Sequence, residues 1–162
     1  MQDLTPDLCD LYAERIQIAD SIFQDFGGQE CFHGQVVTVS CFEDNSRVRE
    51  LVGEPGAGRV IVVDGRGSRR RALLGDMLAE KAANNGWAGL IIHGAVRDAV
   101  ALSKLALGVK ALCAFPLPTI KRGLGEVGNT VDFAGVTIRH GDYVYCDRNG
   151  IVVSQEALSL PS

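Results

Sequence analysis

The chain has 162 residues, 46 % of them hydrophobic and 22 % charged, with a net charge of −4. Those proportions suit a globular chain of one-domain size, able to bury roughly 68–70 % of its unfolded surface without disulfides or metals as staples. The acidic balance, 16 basic against 20 acidic residues, speaks against a nucleic-acid partner, and no apolar run approaches the ~18 residues of a membrane span.

Residues 1–7 are polar and acidic, unlike a secretory signal. The cysteines (Cys9, Cys31, Cys41, Cys113 and Cys146) are odd in number and form no CxxC pair, which points to reduced thiols and a cytoplasmic chain. Thr5-Pro6-Asp7 reads as a helix start, with a capping hydroxyl, proline in the first turn and an acid after it; the helix should end near Glu14. Residues 34–42 (GQVVTVSCF) are apolar and β-branched, a strand. Residues 45–52 fit a short helix stopped by Gly53 and Pro55. Residues 59–63 (RVIVV) form a continuous apolar run, as in a strand covered on both faces.

A turn at 64–67 and a short strand over 69–74 come next, with Arg69-Arg70-Arg71 read as a solvated face. The spacing of Met77, Leu78, Lys81 and Ala82 predicts a helix over 76–85, capped by Asp76 and ended by Gly86. Residues 89–92 (GLII) read as a buried strand, 98–105 as a short helix and 108–115 as a strand. Four short strands follow, around 131–133, 136–138, 143–145 and 151–153, with Asn149-Gly150 a strong hairpin signal. Alternating strands and helices in the middle and antiparallel strands at the end imply one α/β domain over 1–162 with a mixed sheet.

In open α/β sheets, ligands sit beyond the carboxyl ends of the strands. Two loops leave such ends here. In the first, Gly75 lets backbone approach a ligand, and the helix start at Asp76, Met77 and Leu78 offers unpaired N–H groups suited to a carboxylate. In the second, residues 93–98, Arg97 presents a planar donor fork matched to a carboxylate, and Asp98 a hard oxygen of the kind Mg²⁺ takes. Taken singly, each acid is more simply explained as a helix cap, and Arg97-Asp98 as a surface pair.

Gly75-Asp76-Met77-Leu78 followed by Gly94-Ala95-Val96-Arg97-Asp98 resembles the family of regulators of ribonuclease E activity A, which includes metal-dependent 4-hydroxy-4-methyl-2-oxoglutarate aldolases. The likeness extends over Leu8-Cys9-Asp10, Phe26-Gly27-Gly28, and residues 41–45, 58–60, 62–65 and 147–151. It implies a swivelling-type α/β domain, a homotrimer with sites near subunit interfaces, and Mg²⁺ or Mn²⁺ as cofactor. Arg97 would bind the pyruvate part of a 2-oxo-acid substrate, the backbone of Gly75 to Leu78 its carboxylate, and Asp98 the metal. Asp76 would orient a water that moves protons. The implied activities are aldol cleavage and oxaloacetate decarboxylation, which share a pyruvate enolate. Ala101 departs from the pattern, because aldolase members carry an acid three residues after the metal-binding Asp. The resemblance also implies an alternative, a non-enzymatic regulator that binds ribonuclease E.

The letters GxGxxG at 123–128 follow a proline-rich loop and precede a strand, the wrong setting for a dinucleotide. His33, His93 and His140 show no metal spacing; His93 reads as a packed residue at a strand end, and Trp87 as packing.

Overall fold

The computed structural model describes residues 3–161. Its helices are α1 (Thr5–Tyr12), α2 (Ser46–Val52), α3 (Asp76–Asn84) and α4 (Ala99–Leu102). Its strands are β1 (Ile16–Ile18), β2 (Gln24–Asp25), β3 (Phe32–Ser40), β4 (Val60–Asp64), β5 (Ala72–Leu74) and β6 (Gly89–Val96). They continue with β7 (Gly108–Ala114), β8 (Glu126–Val127), β9 (Val131–Phe133), β10 (Val136–Ile138), β11 (Tyr143–Asp147) and β12 (Gly150–Ser154).

Strands β3, β4, β6 and β7 are adjacent and parallel, with Val36 opposite Val60, Val60 opposite Gly89 and Gly89 opposite Gly108. Helices α2, α3 and α4 make the three crossovers. The apolar runs of β4 and β6 need cover on both faces, and both faces are covered. On one, Val48, Leu51 and Val52 of α2 and Ala79 and Ala82 of α3 pack over Ile61, Val63, Leu90 and Ile92. On the other, Val131, Phe133, Val136 and Ile138 of the β9–β10 hairpin close over Val36, Val60, Val62 and Ile91. Each such fully buried aliphatic side chain contributes about 1.5–3 kcal/mol. Beyond β3 the sheet continues antiparallel through β11, β12 and β1. The result is the expected mixed sheet, parallel in the middle and antiparallel toward the C-terminal strands.

Local assignments change in several places. Strand β6 runs on to Val96, so residues 93–96, expected as loop, are strand. The helix expected over 98–105 shrinks to Ala99–Leu102. The strand expected over 69–74 is Ala72–Leu74 only. Arg69 and Arg70 are exposed, as expected of a solvated face, and Arg69 and Arg71 also donate to the carbonyls of Leu112 (3.4 Å) and Pro118 (3.0 Å). The short strands β1, β2 and β8 carry no strong pattern and exist through their partners β12, β7 and β3. Residues 123–128 form no helix; β8 lies within them. The hairpin expected from Asn149-Gly150 is present one residue earlier: Asp147 pairs with Gly150, so Arg148-Asn149 make the turn and Gly150 opens β12. All five cysteines are free. Burial pushes the Cys41 thiol up to about 12 and the Cys146 thiol higher still. Among the described residues, no helix is long and apolar enough to cross a membrane.

The start of α1 is the clearest correction. Thr5 does not cap it: Leu4 holds the N-cap position, α1 ends at Tyr12 rather than near Glu14, and the Thr5 hydroxyl donates to Asp147 Oδ1 at 2.7 Å. The Leu4 and Thr5 N–H groups both donate to Asp147 Oδ2 at 2.7 Å, and the Asn149 N–H to Oδ1 at 2.8 Å. A buried carboxylate at the far end of the sequence thus caps the first helix.

Burial disfavours the charged form of Asp147, but the donors from Thr5, Asn149 and Leu4 outweigh it and lower its pKa. A depressed folded-state pKa stabilises the fold fully above the unfolded value of about 3.9 and is lost as pH falls through the folded value. Asp147→Ala should therefore destabilise the protein by about 2–3 kcal/mol in urea denaturation at pH 7, and the gap from wild type should narrow below about pH 4. Equal stability at pH 7 would contradict this role.

Candidate functional site

The two loops singled out in the sequence meet. The Asp76 N–H donates to Asp98 Oδ2 at 2.9 Å, across 22 positions of sequence. The Arg97 N–H donates to the Leu74 carbonyl at 2.9 Å, which seats the second loop beside the end of β5. Both cap assignments made from sequence change as a consequence. Gly75, not Asp76, is at the N-cap position of α3, and the carboxylate serving that helix start is Asp98. Asp98 precedes α4 with a left-handed backbone (φ 61°, ψ 46°) and makes no side-chain cap bond to it. Few residues other than glycine adopt that conformation, though aspartate does so more readily than most.

Gly75 is required for space. Its backbone is extended (φ −129°), which any residue tolerates. A Cβ there would lie 2.8 Å from Asp98 Oδ2 and 3.3 Å from Arg97 Nε. The first intrahelical bond of α3 is made by the Ala79 N–H to the Gly75 carbonyl (3.1 Å). The N–H groups of Met77 and Leu78 therefore stay free of helical partners at the positive end of the helix.

Gly75, Asp76, Met77, Leu78 and Arg97 line a pocket of about 310 Å³, faced by Asn45, Arg49, Pro118 and Lys121. Among the described residues, Arg97 makes no salt bridge. It is therefore not the surface partner of Asp98, and its guanidinium is available to a ligand. The structure thus brings together all six residues expected from the sequence: Gly75, Asp76, Met77, Leu78 and Arg97 at the pocket, and Asp98 bonded behind them.

Among the described residues, no three His, Cys, Asp or Glu side chains gather as a metal cage. The donor chemistry still suits a hard cation. Asp98 is exposed; its Oδ2 takes one N–H, and among the described residues it has no cationic partner and Oδ1 accepts no hydrogen bond. One carboxylate with water in the remaining positions is a common arrangement for Mg²⁺.

Sequence reading missed the opposite wall. Asp44 is buried and accepts the Ser46 hydroxyl (2.5 Å) and the N–H groups of Ser46 (2.9 Å), Arg122 (2.7 Å) and Leu124 (3.3 Å). Burial opposes its ionisation, yet these four bonds prevail and hold its pKa at about 2. Asn45 donates to the Leu73 carbonyl (2.9 Å) and accepts the Thr119 hydroxyl (2.7 Å). The start of α2 thereby fixes the 119–124 loop beside the pocket. The acid–amide–hydroxyl run 44–46 was the available signal.

His93 lies within β6 rather than at its end. Its ring stacks on Phe133 (centroids 4.9 Å apart, planes at 7°), with Nδ1 3.6 Å from Asp64 Oδ1. Trp87 is packed as expected, with its indole N–H on the Glu54 carbonyl and Arg59 over its ring.

A guanidinium, a helix start with free N–H groups and an exposed carboxylate thus meet at one end of the mixed sheet, a set of groups whose chemistry suits a carboxylate-bearing small molecule. The family model described as Aldolase/RraA, RraA-like, matches residues 5–153, and the chain belongs to the RraA-like family. A Marinomonas protein with the provisional name 4-hydroxy-4-methyl-2-oxoglutarate aldolase is 65 % identical over 161 residues, covering 99 % of this chain and 100 % of the relative. A Pseudomonas aeruginosa protein of the same provisional name is 54 % identical over 99 % of each chain. The solved RNA-processing inhibitor RraA of a Thermus species superposes with a TM-score of 0.94 at 43 % identity, covering 98 % of this chain and 96 % of that one. A Geobacillus kaustophilus structure described as an S-adenosylmethionine:2-dimethylmenaquinone methyltransferase gives 0.94 and 43 % over 98 % and 97 %.

Gly75→Ala should push Asp98 or Arg97 aside and cost about 1–3 kcal/mol of stability in urea denaturation. Unchanged stability would mean that the two loops are not held at this spacing. Asp44→Asn should destabilise the protein by about 1–3 kcal/mol at pH 7, and the difference should shrink as pH falls from about 4 through about 2, where the depressed carboxylate takes up its proton. A difference undiminished at pH 2 would contradict the assigned ionisation.

Proposed function

We propose that this site binds the pyruvate part of a 2-oxo acid next to a divalent cation and cleaves the adjacent carbon–carbon bond. The observation that carries the reading is the Asp98 carboxylate bonded to the start of α3, with the uncommitted Arg97 guanidinium beside it. The names of the Marinomonas and Pseudomonas relatives support aldol cleavage of 4-hydroxy-4-methyl-2-oxoglutarate-type substrates.

In this reading the Met77 and Leu78 N–H groups receive the substrate carboxylate, and Arg97 meets the 2-oxo oxygen, where negative charge develops. Asp98 would hold Mg²⁺ or Mn²⁺ with water completing the shell, and the cation supplies Lewis-acid stabilisation of the enolate. Asp76, exposed at the pocket, holds a water that takes the proton from the substrate's 4-hydroxyl. The carbon–carbon electron pair passes into the pyruvate enolate, which water protonates at carbon 3. Oxaloacetate gives the same enolate on losing CO₂ and needs no hydroxyl proton removed. With Ala101 in place of an acid, decarboxylation is the better-supplied of the two reactions.

Schiff-base chemistry needs a desolvated, uncommitted lysine. Lys110 is the buried lysine, and its ammonium is 2.9 Å from Asp25 Oδ1 and donates to the Asp147 carbonyl at 2.8 Å, away from the pocket. Lys81, Lys104 and Lys121 are exposed.

The homotrimer implied by the family resemblance belongs to the same proposal. Exposed Met77 (81 %) and Val100 (72 %), with Leu117 and Ile120, lie on the segments around the pocket and would be covered by a neighbouring copy. The likeness to the Thermus RNA-processing inhibitor favours a second reading, in which the protein binds ribonuclease E.

Pyruvate release from oxaloacetate decides for or against the lyase. The expected result is Mg²⁺-dependent turnover, abolished by EDTA and lowered about 100-fold or more in Asp98→Ala and Arg97→Lys. Equal rates with and without metal, or in the Asp98 variant, would overturn it. Retention on an immobilised ribonuclease E C-terminal region at physiological salt is what the second reading expects; no retention would remove it.

A further inference from the structure

The pocket makes no use of the loop between β4 and β5, where positive charge is densest. Arg66, Arg69, Arg70 and Arg71 fall within six positions, and no acid lies between Gly65 and Arg71. The chain as a whole is net −4, so this loop is a local reversal of sign. Arg66, Arg69 and Arg70 are exposed. Among the described residues, none of the four arginines makes a salt bridge. Two acids touch the loop, and both are engaged. Asp64 accepts the Arg66 N–H (2.9 Å) and lies beside His93, and Glu43 accepts the Ser68 hydroxyl (2.5 Å).

The loop is tied down along its length. The Gly67 N–H donates to the His93 carbonyl (3.0 Å), the Ser68 N–H to the Gly65 carbonyl (3.2 Å) and the Ala72 N–H to the Leu117 carbonyl (2.7 Å). The Arg70 N–H donates to the Ser68 hydroxyl (3.3 Å). Arg66 has a left-handed backbone (φ 57°), and so has Glu43 (φ 51°), which reaches the loop through Ser68. Glycine would adopt that conformation without strain, and strained side-chain-bearing residues gather at sites that hold a ligand or partner. Here the Arg66 guanidinium lies over the exposed ring of Phe42, 6.0 Å from its centroid. Four arginines are thus presented on a fixed loop beside an exposed aromatic ring, with their charge unanswered.

We infer that Arg66, Arg69 and Arg70, with Phe42, form a docking surface for a short acidic segment of a partner protein. None of these residues lines the pocket, and the inference stands apart from the pocket's chemistry. Guanidinium forks match aspartate and glutamate carboxylates two bonds at a time, and the Arg66–Phe42 pair sets an apolar face beside them. Charge pattern favours a peptide over a nucleic acid. A nucleic-acid strand repeats its charge past the loop, onto a surface that is acidic overall, whereas a short acidic segment ends where the loop ends. A surface this small and this charged forms a weak, quickly made and salt-sensitive contact rather than a permanent one.

Fluorescence anisotropy on the full chain tests this with two labelled probes: a peptide of glutamate and alanine with one phenylalanine, and an oligouridine of the same net charge. Wild type should bind the peptide more tightly than the oligouridine, and added salt should weaken the binding. Arg66→Gln and Arg70→Gln should each weaken peptide binding about tenfold, and Arg97→Gln, in the pocket, should leave it unchanged. Arg66→Gly should weaken it as far while its urea midpoint stays no lower than that of wild type, because glycine takes the left-handed backbone freely; the loss of binding is then not a loss of fold. Peptide affinity equal to wild type in both glutamine variants, or oligouridine bound as tightly as the peptide, would overturn the surface. So would a fall in sedimenting mass in the loop variants, which would assign the arginines to a contact between copies of this chain.

Discussion

The hydrogen bond from the Asp76 N–H to the Asp98 carboxylate is the contact on which the site depends. It joins the start of α3 to the end of β6, two segments that the sequence separates by twenty residues between Asp76 and Arg97. It also sets the neighbours' requirements. Gly75 has no room for a Cβ, because Asp98 and Arg97 fill the space. Asp98 sits in a left-handed backbone turn that sends its carboxylate back to α3 rather than onto α4. One bond thus brings a carboxylate oxygen, a helix start with free N–H groups and a guanidinium to one edge of the sheet.

The parallel strands make that edge. Strands β4 and β6 are apolar on both faces, so α2 and α3 must cover one side and the β9–β10 hairpin the other. Helices on crossovers between parallel strands begin at the strands' carboxyl ends, where α3 presents its free N–H groups. The opposite wall comes from a different device. Asp44, kept ionised by four donors despite its burial, ties the 119–124 loop to the start of α2. Two carboxylates outside the pocket lining thus hold its two walls: exposed Asp98 behind the α3 start, and buried, fully bonded Asp44 behind the 119–124 loop.

Much of this was legible in the sequence, because continuous apolar runs and helical spacing are strong local signals. They gave the β3–β4–β6–β7 order of secondary structure and the start of α3 to within a residue. The site residues were legible as types: an Arg-Asp pair and a Gly-Asp helix start. Their bonding was not. Asp76 and Asp98 each read as the cap of the helix that follows, whereas Asp98 serves the other one's helix and Asp76 is left free. Thr5 likewise read as its own cap, whereas Asp147 reaches α1 from 142 positions away. Capping by a residue remote in sequence leaves no local pattern. The same holds for β1, β2 and β8, two or three residues each, which are strands only because a longer strand lies alongside.

A crystal structure with Mn²⁺ and oxalate would show whether the two loops form one binding centre for a divalent cation and a 2-oxo acid, as proposed. An anomalous manganese peak is expected beside Asp98, with oxalate against the Arg97 guanidinium and the Met77 and Leu78 N–H groups. Manganese at another position, or oxalate bound away from Arg97, would contradict the proposal.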